Sequence, residues 1–262
     1  MATEENLDDS KAPLISHLIE LRSRLIRSVI AILIAFIGCF FVADEIFKIL
    51  IVPYEQAAGE EREARFIFTA PQEYFFTQMK IGLFGALFLA FPVLASQLYL
   101  FMAPGLYRHE RAAFYPYLIA TPILFLLGAC LVYFLIMPLA LTFFLGLEQR
   151  EPGEVVIENL PKVSEYLGLI MTLIFAFGFV FQLPVVLTLL ARVNLISEET
   201  LRNKRKYAIV IAFAMAAILT PPDPISQIGL ALPTLVLYEV SIFCVRMVER
   251  RREANMIDPE EA

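Results

Sequence analysis

Six apolar runs constrain this chain more than any other feature: about 25–48, 76–101, 115–146, 164–191, 207–220 and 227–245. A helix needs roughly 18 to 20 apolar residues to cross a bilayer core, and most of these runs reach or exceed that length. Inside lipid the backbone must satisfy its own hydrogen bonds, which leaves helices or a closed barrel. The ten-residue alternation of a barrel is absent. The expectation is therefore an all-α polytopic membrane protein with six transmembrane helices, the last two short. Composition agrees, because 59% hydrophobic residues, 18% charged residues and no Trp make the chain far more apolar than a soluble domain.

The runs divide one integral membrane domain over 1–262 into recognisable parts. Residues 1–13 read as a polar N-terminal tail, 14–24 as an amphipathic interfacial helix and 247–262 as a cytoplasmic C-terminal tail. The first twelve residues are acidic and polar and lack the basic, short-apolar pattern of a removable signal peptide. Only fourteen residues separate Lys206 from Pro221, and at about 1.5 Å each they reach roughly 21 Å, short of a core about 30 Å thick. The third run is overlong, and its outer end should project beyond the membrane. No internal repeat of the kind that builds many transporters stands out.

Charge sets the orientation. Fifteen of the 21 Lys and Arg residues fall on one side, among them Arg22, Arg24, Arg27, Arg108, Arg111, Lys204, Arg205, Lys206, Arg246 and Arg250. The positive-inside rule then predicts that both termini lie in the cytoplasm. The opposite loops carry Glu55, Glu60, Glu61, Glu63, Glu148, Glu151, Glu154 and Glu158, an ordinary solvated face.

Two polar stretches interrupt this pattern on the cytoplasmic side. In His17-Leu18-Ile19-Glu20-Leu21-Arg22-Ser23-Arg24-Leu25, helical spacing gathers His17, Glu20, Arg24 and Arg27 on one face and Leu14, Leu18, Leu21 and Leu25 on the other. In Phe101-Met102-Ala103-Pro104-Gly105-Leu106-Tyr107-Arg108-His109-Glu110-Arg111, Pro104-Gly105 should end the second span, leaving Glu110 in the first turn of the third. Each carboxylate has an ordinary use: Glu20 can pair with Arg24 four residues on, and Glu110 can favour a helix N-terminus by about 0.3 to 1 kcal/mol. Their shared location at the cytoplasmic surface makes them candidates for recognising something basic.

Within the spans the chemistry is sparse. Gln182, in Phe181-Gln182-Leu183-Pro184, can hydrogen-bond backbone groups freed by Pro184 or face the interior. Glu239 lies about two turns from the cytoplasmic end of the sixth run and should either snorkel or pair with an arginine such as Arg246. Cys39, Cys130 and Cys244 each sit in a different run and read as buried small hydrophobes, with no spacing that would bind metal. His17 and His109 are isolated from one another and suit surface hydrogen bonding. The sequence has no nucleophile-base-orienter set, Gly-rich phosphate loop or metal cluster, so no enzyme activity, cofactor or nucleic-acid partner is expected.

The two motifs, together with Leu219-Thr220-Pro221-Pro222-Asp223 and Ser226-Gln227, closely resemble the TatC family of the twin-arginine protein translocase. The likeness runs in order over essentially the whole chain, including the short final helices and the basic loop before the fifth. It implies a concave helical bundle in the bacterial cytoplasmic membrane. Such a receptor captures folded proteins by an N-terminal signal bearing consecutive arginines and exports them with the proton-motive force. Glu20 and Glu110 would form the arginine-binding pair, with Arg22, Gln97, Phe101, Pro104, Leu106, Tyr107 and His109 shaping the patch.

The resemblance also implies single-span TatA and TatB partners along the fifth helix, meeting Thr220, Gln227, Ala217 and Leu219, and other copies of the chain. Pro53, Thr69, Pro71 and Phe75 match family positions in an outer cap that lets copies associate. Gln182 departs from the family, in which many members have a glutamate there, and this argues against an obligatory proton relay at that position. The competing readings from the residues are a secondary transporter of a small solute, which wants ionisable groups at the midplane, and an assembly scaffold.

Overall fold

The computed structural model describes residues 5–59, 65–102, 115–148, 160–219 and 224–257. Their regular structure is all helix: α1 (Glu5–Phe41), α2 (Ala43–Ala58), α3 (Glu73–Met102), α4 (Tyr115–Leu131), a π turn (Val132–Ile136), α5 (Met137–Leu145), α6 (Val163–Val180), α7 (Leu183–Arg192), α8 (Glu198–Asn203), α9 (Arg205–Leu219) and α10 (Pro224–Ile257). Five stretches are long and apolar enough to cross a membrane: His17–Phe41, Glu73–Phe101, Pro116–Leu145, Val163–Arg192 and Gln227–Arg250. The fifth span of the six is α9, whose 15 residues rise only about 22 Å.

Three boundaries differ from those read in the sequence. The first span ends at Phe41, and what looked like its last turn belongs to α2. Asp44 and Glu45 occupy the first turn of α2, where carboxylates favour a new helix N-terminus; the apolar run Ile46 to Val52 merely continues the hydropathy across the break. Residues 14–24 are continuous with the first span in α1, because after Pro13 no residue interrupts the helix. The helix of the sixth span continues past Arg250 to Ile257, through residues expected in the tail.

The chain forms two compact units: Met1–Ile46 with Gln78–Pro122, and Phe47–Thr77 with Ile123–Ala262. In the first, the start of α2 is tied to α3 by Gln78 Nε2 donating to Asp44 Oδ1 at 2.5 Å. A buried pair joins α3 to α4, with the Tyr99 and Thr121 hydroxyl oxygens 2.8 Å apart.

In the second unit, α4 and α6 cross at glycines. A Cβ on Gly128 would lie 2.6 Å from the Phe177 carbonyl oxygen, and one on Gly178 would lie 2.3 Å from the Phe125 ring. Small residues let helices in a membrane approach closely enough for dispersion to hold them. The π turn precedes Pro138: the Met137 amide donates to Val132, five residues back, where an α-helix would bond four back.

Prolines also shape α2. Pro53 lies inside that helix and has no N–H for the Ile49 carbonyl. The Tyr133 hydroxyl donates to Ile49 instead, at 2.7 Å, and Tyr166 donates to the Leu50 carbonyl at 2.9 Å. Beside them the segments that follow α2 and precede α6 clasp each other, since Ile67 donates to Pro161 and Val163 donates to Ile67, each at 3.2 Å. Glu73 gathers this cap: its Oε2 accepts from the Thr69 amide at 2.8 Å and hydroxyl at 3.1 Å, and its Oε1 accepts from Ser164.

At the other end, α7 stops in a left-handed residue, Asn194 (φ 60°). Leu195 donates to Leu190 at 2.9 Å and Asn194 to Ala191 at 3.0 Å, the paired bonds that close a helix C-terminus. Ser197 then caps α8 by accepting from the Thr200 amide at 3.2 Å. Ala191, Leu201, Ile242 and Val245 form a small core there.

Candidate functional site

The site is built from the first unit upward. His17, Glu20 and Arg24 share one face of α1, as three- and four-residue spacing requires. Arg24 donates to Glu20 from Nε at 3.0 Å and from Nη2 at 2.5 Å, both bonds ending on Oε1. The Ser28 hydroxyl donates to the Arg24 carbonyl at 3.0 Å. Glu20 keeps 31% of its side-chain surface exposed and Arg24 18%, so the carboxylate is both held and reachable.

The His17 ring stacks on Phe101, with centroids 4.3 Å apart and planes at 22°. Phe101 is the next-to-last residue of α3. The contact therefore brings the Glu20 face to the point where the second motif leaves α3. Gln97, one turn before Phe101, is half-buried, and its Oε1 accepts no hydrogen bond among the described residues. Arg22 is exposed on α1. Pro104, Leu106, Tyr107, His109 and Glu110 lie outside the described residues. The sequence reading missed the ring stack, although an imidazole three residues before the acid on one face was its available signal.

The other polar candidates lie in the second unit. Gln182 is buried and donates from Nε2 to the Gly178 carbonyl at 3.3 Å. That carbonyl is freed because the Gln182 amide turns to Phe179 at 3.0 Å where the helix breaks before Pro184. Glu239 pairs with Arg205 at 2.6 Å and not with Arg246. Arg246 instead sits 3.7 Å from Glu198, which also pairs with Arg202 at 2.8 Å. The neighbouring helix α9 presents a guanidinium to Glu239, which spacing along α10 alone could not reveal.

Gln227 donates to the Phe213 carbonyl of α9 at 3.4 Å. Ala217 is exposed and Leu219 half-buried, while Thr220 lies outside the described residues. Cys39 is buried, but Cys130 is exposed on α4, a correction to its reading as buried; in a spanning helix such a face meets lipid.

Among the described residues, an all-helical arrangement with several membrane-length apolar helices and a partly exposed, guanidinium-held carboxylate at the start of the first span defines the class: a multi-pass membrane protein. The model of a known family, TatC, the Sec-independent protein translocase protein, matches residues 16–233. A Sec-independent protein translocase protein TatC of Magnetococcus marinus is 50% identical over 248 residues, covering 94% of this chain and 89% of that one. The corresponding protein of Escherichia coli is 37% identical over 234 residues, covering 89% and 88%. A crystal structure described as the twin-arginine translocase receptor TatC superposes with a TM-score of 0.76 at 40% identity, covering 89% of this chain and 99% of that one. The chain belongs to the TatC family. It is a multi-pass inner-membrane component of the Sec-independent translocase and a non-enzymatic transport subunit.

Proposed function

We propose that this chain is the signal receptor of its translocase, reading consecutive arginines of a folded cargo's N-terminal signal through Glu20 and Glu110. The observation that carries the reading is the Arg24 fork on Glu20: the carboxylate already takes two charge-assisted bonds from a guanidinium and remains partly exposed. A guanidinium offers a planar fork that matches a carboxylate, whereas an ammonium is a point charge. Arg22, Gln97, Phe101, Pro104, Leu106, Tyr107 and His109 shape the surrounding patch, and the signal's apolar segment follows into the membrane. With both termini in the cytoplasm, as the basic residues require, this patch meets cargo before export.

TatA and TatB are the partners in this reading, packing along α9. Only Ala212 and Ala216 of that helix are buried, which leaves Tyr207, Val210, Ile211 and Ile218 uncovered for a single-span helix. Thr220, Gln227, Ala217 and Leu219 mark its outer end, where an interhelical hydrogen bond in lipid is worth about 0.6 to 2 kcal/mol. Further copies of the chain complete the complex, and the proton-motive force drives export.

The test is binding of a labelled twin-arginine peptide to the protein in nanodiscs. Glu20→Ala and Glu110→Ala are each expected to weaken it at least about tenfold, since a hydrogen bond to a charged group contributes about 1.5 to 3 kcal/mol. A twin-lysine peptide should bind more weakly than its arginine counterpart. Equal binding by all three proteins would mean that the peptide reads apolar surface only.

A further inference from the structure

The basic residues around the start of α9 fall into two groups. Arg202 pairs with Glu198 at 2.8 Å, Arg205 pairs with Glu239 at 2.6 Å, and Arg246 lies 3.7 Å from Glu198. Lys204 and Lys206, on either side of Arg205, are exposed and pair with no carboxylate among the described residues. The Lys206 Nζ stands 5.2 Å from the centroid of the neighbouring Tyr207 ring. No acid occupies the first turn of α9, so nothing there offsets two like charges beside a helix end whose dipole already disfavours cations. The positive-inside bias asks for cations in this loop, but not for two that lack a counter-charge.

Beyond them α9 turns an apolar face outward. Tyr207, Val210, Ile211 and Ile218 are exposed at helical spacing, and in a membrane such a face meets acyl chains. Tyr207 is the residue type that suits the depth at which chains join headgroups. The two features together repeat the outline of one molecule: cations at the depth of a phosphate and an apolar stripe running away from it.

We propose that Lys204 and Lys206 bind the phosphate of an anionic phospholipid, whose acyl chains lie along the exposed face of α9. A net anion supplies the missing counter-charge, whereas a zwitterionic headgroup brings its own ammonium and neutralises nothing. Basic residues beside a spanning helix attract anionic lipid in this way. Inorganic phosphate would satisfy the lysines and leave the stripe uncovered, which makes the lipid the better fit. Because α9 rises only about 22 Å against a core of about 30 Å, a lipid that fixes its first turn at headgroup depth leaves the whole shortfall at its other end. The inference is independent of what Glu20 reads, and it concerns the first turn whether or not a partner helix covers the stripe.

The chain has no Trp, so Ile211→Trp, one turn beyond Tyr207 on the exposed face, installs a single fluorophore beside the site. The full chain is reconstituted in bilayers that mix phosphatidylglycerol with phosphatidylcholine, with bromine on the acyl chains of one lipid at a time as quencher. Quenching should report a preference for phosphatidylglycerol of at least about fivefold, the scale of one lysine at an anionic surface. Lys204→Gln with Lys206→Gln should bring the preference close to one, and Lys204→Arg with Lys206→Arg should keep it. Phe134→Trp, exposed on the π turn, should show no preference. Thermal unfolding reports the folding of each variant. If the glutamine pair does not fold, high salt replaces it and should erase the preference of the lysine-bearing chain by screening.

Equal quenching by both lipids at position 211 would overturn the site and leave the two lysines to an acidic segment of another protein. A preference that survives both glutamines, or one that Phe134→Trp shares, would overturn it as well, since lipid would then be sorted without these lysines.

Discussion

Gly178→Val is expected to produce the largest loss of stability of any single substitution considered for this chain. A Cβ at that position would lie 2.3 to 2.9 Å from three atoms of the Phe125 ring, which is itself almost completely buried. The ring cannot rotate away, because Phe175 and Phe179 pack around it with centroids 6.1 Å distant. Nor can the backbones slide, since α4 presses back one turn away, where Gly128 leaves only 2.6 Å from a Cβ to the Phe177 carbonyl oxygen.

Overpacking a close-fitted core costs about 1 to 3 kcal/mol and more when backbones must separate, and in lipid no hydrophobic force pushes the helices back together. Thermal unfolding in detergent should therefore drop by several degrees for Gly178→Val and likewise for Gly128→Val. Gly168 lies on the same helix α6 with nothing within 4 Å of its Cβ position, so Gly168→Ala should leave the midpoint unchanged or slightly raised. A midpoint for Gly178→Val matching that of Gly168→Ala would mean that the crossing is not where α4 and α6 are held.

Removing the hydroxyls of Tyr166 and Tyr133 is the second large effect. Each phenol serves a carbonyl of α2 beside Pro53, the Tyr166 bond buried and the Tyr133 bond exposed. Tyr166→Phe keeps the ring and its neighbours Tyr54 and Phe66, at 5.6 and 5.4 Å, so the change isolates one buried bond. An orphaned buried acceptor costs about 1 to 3 kcal/mol, and Tyr133→Phe, nearer the surface, costs about 0.5 to 1.5 kcal/mol. The double variant should be the less stable, and the two effects should fall short of adding, because adjacent carbonyls on one kinked turn share their relaxation. Midpoints unchanged by both substitutions would show that Pro53 is accommodated without them.

What was legible in the sequence follows the strength of the physical signal. Hydropathy over some twenty residues locates a span in almost any context, so the spans were readable, and the basic cluster and Pro221-Pro222 bracketed α9 to within two residues. The Glu20–Arg24 pair was readable because spacing along one helix fixes it. Contacts between helices were not. Glu239 finds Arg205 across the α9–α10 hairpin, whereas a reading along one helix could offer only Arg246. The hidden helix α2 illustrates the other failure, since its apolar run joins the first span in any hydropathy average and only Asp44 and Glu45 mark the restart. The π turn before Pro138 has no composition of its own.

The site was half legible for the same reason. Spacing along one helix exposed the Glu20–Arg24 pair, but the ring stack joins residues 17 and 101, a separation at which a single sequence has no voice.

The central claim is that the Glu20 carboxylate bonds a signal guanidinium directly, and a double-mutant cycle measures that bond. One axis is Glu20→Gln, which keeps shape and removes charge; the other is replacement of one signal arginine by lysine, with affinities read for all four combinations in nanodiscs. A direct charge-assisted fork predicts coupling of about 1.5 kcal/mol or more, so that the lysine substitution costs far less once Glu20 is neutral. Additive effects, with coupling near zero for every arginine tested, would contradict the claim and move arginine recognition away from Glu20.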